Sequence, residues 1–223
     1  MADTIYIISG FLIVLLSGGL SYLYFMAHRK QNKKFKLFFR PEYHRKYLIA
    51  AIVITLLAAV TFAYSMFYMQ QGFLKALVNA EMMLWLAIVS LIDYREKIIP
   101  NSMILAGIAA WVIFFAVEVI FAKTPVKQLL AYSLGAALLC GGVLFVVALV
   151  VKTALGMGDV KMVAVISLFY GLMNTYSIVL VSMVIMFIVS IILLILKKAD
   201  RKTAIPMAPF VLAGFFVNIF FGV

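Results

Sequence analysis

The sequence predicts an all-α, polytopic membrane protein of about eight transmembrane helices, and three observations carry that expectation. Of its 223 residues, 67% are hydrophobic and only 12% charged, and the mean hydropathy is +1.18, far from the balance of a soluble domain. Apolar runs of about 17 to 25 residues recur along the chain, the length an α-helix needs to cross hydrocarbon, and the alternating pattern of outer-membrane strands is absent. The formal charge of +11 sits in the turns between those runs, which assigns it to membrane orientation rather than to nucleic acid.

The first run, Ile5 to Ala27, lacks the positively charged start of a secretory signal and precedes a basic stretch, so it is expected to remain as the first span. His28 to Lys46 holds eight Lys or Arg against one acid, Glu42. The positive-inside rule makes this loop cytoplasmic and the N-terminus external. A second span, Tyr47 to about Met69, leads to a short external turn, Gln70 to Lys75. The third, Ala76 to Ile92, returns and delivers Asp93 to the cytoplasmic end. Pro100 cannot continue a helix from the preceding turn, and Asn101 and Ser102 are N-cap types, so one span ends here and the fourth, to about Ala122, begins.

Lys123 to Lys127 forms the next external turn, Gln128 to Val151 brings the chain back, and Lys152 marks the cytoplasmic face. After Gly156-Met157-Gly158-Asp159-Val160-Lys161, the run from Val160 to Tyr170 would rise only about 16 Å as a helix, short for a span. Gly171 to Asn174 is expected to turn, and Thr175 to Leu196 to cross again into the basic stretch Lys197 to Lys202. Ile205-Pro206-Met207-Ala208-Pro209-Phe210 opens a last helix running to Val223, with the C-terminus outside. This topology puts sixteen of the nineteen Lys and Arg in cytoplasmic loops. With no internal repeat, separate soluble domain or long linker, residues 1–223 read as a single transmembrane domain with 28–46 as its basic cytoplasmic loop.

Metal and disulfide chemistry find no support: Cys140 is alone, His28 and His44 lie in the basic loop, and a metal needs several convergent ligands. No cofactor is expected. Carboxylates are the informative residues, since an ionisable group in or near a membrane helix is a functional candidate. Asp93 and Asp159 fall at the same cytoplasmic end of two different spans. Glu81 and Glu118 fall near external ends, where they are expected to snorkel to water or pair with Lys75 and Lys123.

Two carboxylates held close at partial depth cannot both ionise easily, so one keeps a proton while the other acts as a base. That is the arrangement of an aspartyl protease, in which the base activates water and the acid polarises the scissile carbonyl. Gly156 and Gly158 beside Asp159 permit close backbone approach. Charge and spacing alone also allow two solvated helix-end residues, Asp93 beside Arg95 and Lys97 and Asp159 in a local ion pair with Lys152 and Lys161. A small ion or solute carrier using the same aspartates as a proton or cation site is a third reading, although both acids cluster at one face. A structural component of a pilus or secretion machine, with the basic loop as partner surface, is a fourth.

The stretch Asp93 to Asn101 with its Ile99-Pro100-Asn101 ending, the signature Gly156-x-Gly158-Asp159-x-Lys161, and the run Ile205-Pro206-x-x-Pro209-Phe210 resemble the three hallmarks of type IV prepilin peptidases. Order and membrane sides match as well, across roughly Trp85 to Val223. The resemblance implies a GxGD-type intramembrane aspartyl protease that removes the short basic leader from type IV prepilins or prepilin-like membrane proteins at the cytoplasmic face of the plasma membrane. Asp93 and Asp159 would be its catalytic pair. Gly156 and Gly158 would shape the backbone around Asp159, and Lys161 would tune or pair with an aspartate. Pro100 and Asn101 join the site-shaping set, and Pro206 and Pro209 would bring the start of the last helix near the site.

Signal-peptide peptidases and presenilins share the GxGD idea, but their Tyr-Asp motif is missing, since Ile92 precedes Asp93 and Tyr94 follows it. Larger bacterial members of the resembled family carry a cysteine-rich domain in the first cytoplasmic loop, linked to N-methylation; here that loop has no cysteine, so a compact, peptidase-only form is expected. Met207-Ala208 stands where a bulky residue and a glycine are common. A basic leader and basic loops repel within a Debye length of about 8 Å. The loops are therefore expected to hold anionic lipid headgroups, while the substrate's apolar helix docks laterally among the spans and Glu96 and Asp200 remain to attract the leader.

Overall fold

The structure, a computed structural model, describes residues 9–10, 12–14, 16–17, 44–121, 125–150, 156–197 and 205–222. Every regular element among them is a helix: α1 (helical at 9–10, 12–14 and 16–17), α2 (His44–Phe67), α3 (Phe73–Glu96), α4 (Asn101–Phe121), α5 (Val126–Val150), α6 (Met157–Ile195) and α7 (Ala208–Phe221). Five of them, α2 to α6, contain stretches long and apolar enough to cross a membrane. Leu, Ile, Val and Phe lie exposed along α2, α4, α5 and the later part of α6, a surface matched to hydrocarbon rather than water. The protein is an all-α membrane protein. Most of the expected first span, nearly all of loop 28–46, and Lys123 and Lys152 lie outside the described residues.

The chain divides into two compact units, Met1–Leu84 and Trp85–Val223. In the first, the fully buried Phe62 meets Phe73 edge to face, with ring centroids 6.0 Å apart, and Gly10 leaves the space its ring occupies. Asn79 is buried and donates to Ser65 Oγ (3.0 Å) and Gln71 Oε1 (2.9 Å). Glu81 does not reach out to Lys75 as expected. Its Oε1 accepts a 2.8 Å bond from Ser17 on α1, because a polar partner across the helix contact satisfies a half-buried carboxyl without moving it to water.

In the second unit, α3 continues through Asp93 to Glu96, and Lys97, at φ 52°, stops it in the left-handed region. Three residues later the Pro100 carbonyl accepts the Met103 and Ile104 N–H groups and starts α4. Trp85 links α3 to α4 by donating Nε1–H to the Met103 carbonyl at 3.0 Å. Gly107 lets α4 close on α6, since a Cβ there would lie 2.7 Å from Val165 Cγ1.

The 39-residue α6 is broken at Gly171, whose φ of 69° and ψ of −173° are not helical. Of its two arms, the second runs antiparallel to α7. Tyr170 packs on Phe215, while in the second arm Ser182 meets Gly214 and Ser177 accepts from Asn218, so moving up α7 means moving back along α6. The turn expected over Gly171 to Asn174 is thus Gly171 alone, with 172–174 already helical. The first arm is short because it is a central post: Val160, Met162, Val163, Val165, Ile166, Ser167 and Leu168 are all buried, as expected of a helix that is apolar on every side.

Tyr132 of α5 seals the break. Its hydroxyl donates to the Tyr170 carbonyl at 3.0 Å, and its ring fills the position a Gly171 side chain would take. Gly171→Ala should therefore destabilise the protein by about 2–4 kcal/mol, combining a positive-φ, extended-ψ conformation that only glycine adopts readily with overpacking. Tyr132→Phe should cost only about 1 kcal/mol, the lost hydrogen bond. Thermal unfolding in detergent measures both, and partial rescue of Gly171→Ala by Tyr132→Ala would identify the overpacking share.

Candidate active site

One end of the second unit gathers the sequence-predicted site residues. The C-terminal turn of α3 carries Asp93, the 97–100 loop leads into α4, and α6 and α7 begin there. Asp93 is buried, with 5% of its surface exposed, and its Oδ2 accepts the Ala208 N–H at 2.9 Å. The Met207 N–H donates to the same carboxyl. These are orphan donors of the first turn of α7, which no intrahelical carbonyl can reach. Asp93 thus stands at the N-terminus of another helix, where the exposed N–H groups and the helix dipole favour negative charge.

Asp159 does the corresponding job for its own helix. It is the third residue of α6, and its Oδ2 accepts the N–H of the capping residue Gly156 at 3.3 Å. It is half-buried. Asp93 and Asp159 lie within electrostatic reach of each other. A carboxylate offers about four acceptor sites, so a bond to a helix N-terminus leaves each of them capacity for a further partner.

The glycines act through space rather than through unusual backbone angles. Gly156 has φ −74° and ψ 143°, open to any residue, but a Cβ on it would sit 3.0 Å from Asp159 Oδ2. A Cβ on Gly158 would sit 3.0 Å from Ile99 Cβ. The 97–100 loop therefore rests directly on the first turn of α6.

Lys161 Nζ donates to Asn101 Oδ1 at 2.9 Å, so its hydrogen-bond partner is the first residue of α4. Pro100 supplies the carbonyl that starts that helix. Pro206 precedes α7 and Pro209 lies in its first turn, where the missing N–H is an orphan anyway. The contacts to Asp93 come instead from the backbone of Met207 and Ala208. Sequence reasoning names these two residues and Ile99 only as parts of motifs and gives them no role in the site, because backbone donors and an aliphatic spacer carry no chemical signature; a proline-flanked helix start was the one available signal. Among the described residues no group of three or more His, Cys, Asp or Glu is placed to hold a metal.

A family model described as the type IV leader peptidase family matches residues 80–191, half of the chain and a stretch that contains both aspartates. Neither the curated proteins nor the solved structures gave a match. With half of its length matched and the two acids of the site inside the matched region, the chain belongs to the type IV leader peptidase family.

Proposed function

We propose that the protein is an aspartyl endopeptidase that cuts the basic leader from type IV prepilins or prepilin-like membrane proteins at the cytoplasmic face of the plasma membrane, with Asp93 and Asp159 as its catalytic pair. The observation that carries this reading is that two carboxylates from different helices, each held at a helix N-terminus, lie within electrostatic reach of each other. The pair works with one proton between its members. The ionised carboxylate takes a proton from water as the water oxygen attacks the scissile carbonyl carbon. The protonated carboxyl donates to the carbonyl oxygen, and collapse of the tetrahedral intermediate returns a proton to the leaving amine.

Eight spans with both termini outside remain the topology that best distributes the basic residues. In that topology the dyad faces the cytoplasm, and the basic loops bind anionic lipid headgroups. The cysteine-free loop 28–46 supports a peptidase without N-methyltransferase activity.

The test is co-expression of the full chain with reporters in which a short basic leader is joined to an apolar helix, followed by mass spectrometry of the products. The expected result is a single cut between leader and helix, an unmethylated new N-terminus, and a rate that both rises and falls across the pH range, as a shared proton requires. Retention of the leader on every reporter of the panel would overturn the leader-peptidase reading.

A further inference from the structure

The signature places Lys161 two residues after Asp159. On a helix such neighbours point about 200° apart, so they do not face each other. Lys161 reaches α4, where Asn101 Oδ1 accepts its Nζ at 2.9 Å. Both residues are exposed, and the partner is a neutral amide, so the bond uses the lysine without placing a counter-charge on either aspartate. A second contact, Ile99 against Gly158, joins the same two segments one turn away. Asp93 precedes this loop on α3, and Asp159 lies between the two α6 residues that receive it.

We infer that Asn101 and Lys161 form a positioning pair that fixes the first turn of α6, and with it Asp159, against the segment that carries Asp93. The lysine acts through Asn101 rather than on an aspartate or on the substrate. This inference rests on the catalytic assignment proposed above and adds to it a reason for the Asp-x-Lys spacing.

Full-length Lys161→Met, Asn101→Leu, the double variant, and the exchange Asn101→Lys with Lys161→Asn are compared with wild type for cleavage of the basic-leader reporter. Hydrogen exchange of the Gly156–Val160 amides is followed in the same detergent-solubilised proteins. Each single variant should lower kcat about 10- to 100-fold, the scale of a misplacement of about 1 Å, with KM within about 3-fold. The double should be no worse than either single, because both break one interaction. The exchange, which restores the bond with donor and acceptor reversed, should recover most of the activity and the slow amide exchange.

Losses that multiply in the double, or an exchange variant as inactive as the double, would overturn the inference in favour of a direct role for the lysine charge. Asp93→Asn and Asp159→Asn run beside these variants as controls. If they keep cleaving, the catalytic assignment is wrong, and the pair is then judged by amide exchange alone: faster exchange in both single variants supports it, unchanged exchange overturns it.

Discussion

Asp93→Asn and Asp159→Asn are each expected to lower reporter cleavage by about 10⁴-fold, the upper range for loss of a general acid or base, while leaving the fold in place. Asparagine keeps a carbonyl oxygen where the carboxylate accepted the Ala208 or Gly156 N–H. Asp93→Ala removes that acceptor as well. It leaves a buried donor at the start of α7 unpaired, at about 1–3 kcal/mol. Cleavage and detergent melting measured on the three variants therefore separate two roles the same side chain can have. If Asp93 served only to cap α7, the asparagine variant would keep both stability and activity, and only alanine would lose them. If it is a member of the catalytic pair, asparagine loses activity alone. Cleavage that survives in either asparagine variant would remove that residue from the dyad.

The aspartates were legible in the sequence because a carboxylate beside apolar segments is conspicuous, and the charge of the loops was enough to put both at one end. Their engagement was not legible. Charge and periodicity describe a residue's own surroundings, whereas Asp93 is held by backbone 115 residues away and Glu81 by Ser17, 64 residues away. The local partners that the sequence allows for these acids, Arg95 and Lys97 beside Asp93 and Lys75 for Glu81, are near neighbours along the chain. In the structure their hydrogen-bond partners come from other helices. Met207 and Ala208 look unremarkable because their side chains are not what touches the site. The turn expected over Gly171 to Asn174 corresponds to a break at Gly171 alone, since one glycine at positive φ with a tyrosine packed over it interrupts the helix without a loop. The apolar helices were the most readable feature, because a membrane-spanning helix is written in local hydrophobicity over a fixed length.

Gly158 should show a large effect for a residue that takes no part in the proton transfers. Its backbone is not at positive φ, and alanine in a helix is favoured over glycine by about 1 kcal/mol, which offsets the crowding of the added Cβ, so Gly158→Ala should leave stability within about 1 kcal/mol of wild type. Activity should fall. The added Cβ would lie 3.0 Å from Ile99 Cβ, 3.4 Å from its Cγ1 and 3.5 Å from its backbone nitrogen. The isoleucine branch can give by a few tenths of an ångström; the loop behind it yields less. We expect about a 10-fold loss of kcat for Gly158→Ala and about 100-fold for Gly158→Val, because displacing α6 from the 97–100 loop moves Asp159 relative to Asp93. Ile99→Ala should relieve the crowding and return Gly158→Ala to within about 3-fold of wild type. Failure of that rescue, with stability unchanged, would mean that Gly158 is needed for the approach of the substrate backbone rather than for the seat of α6 on the loop.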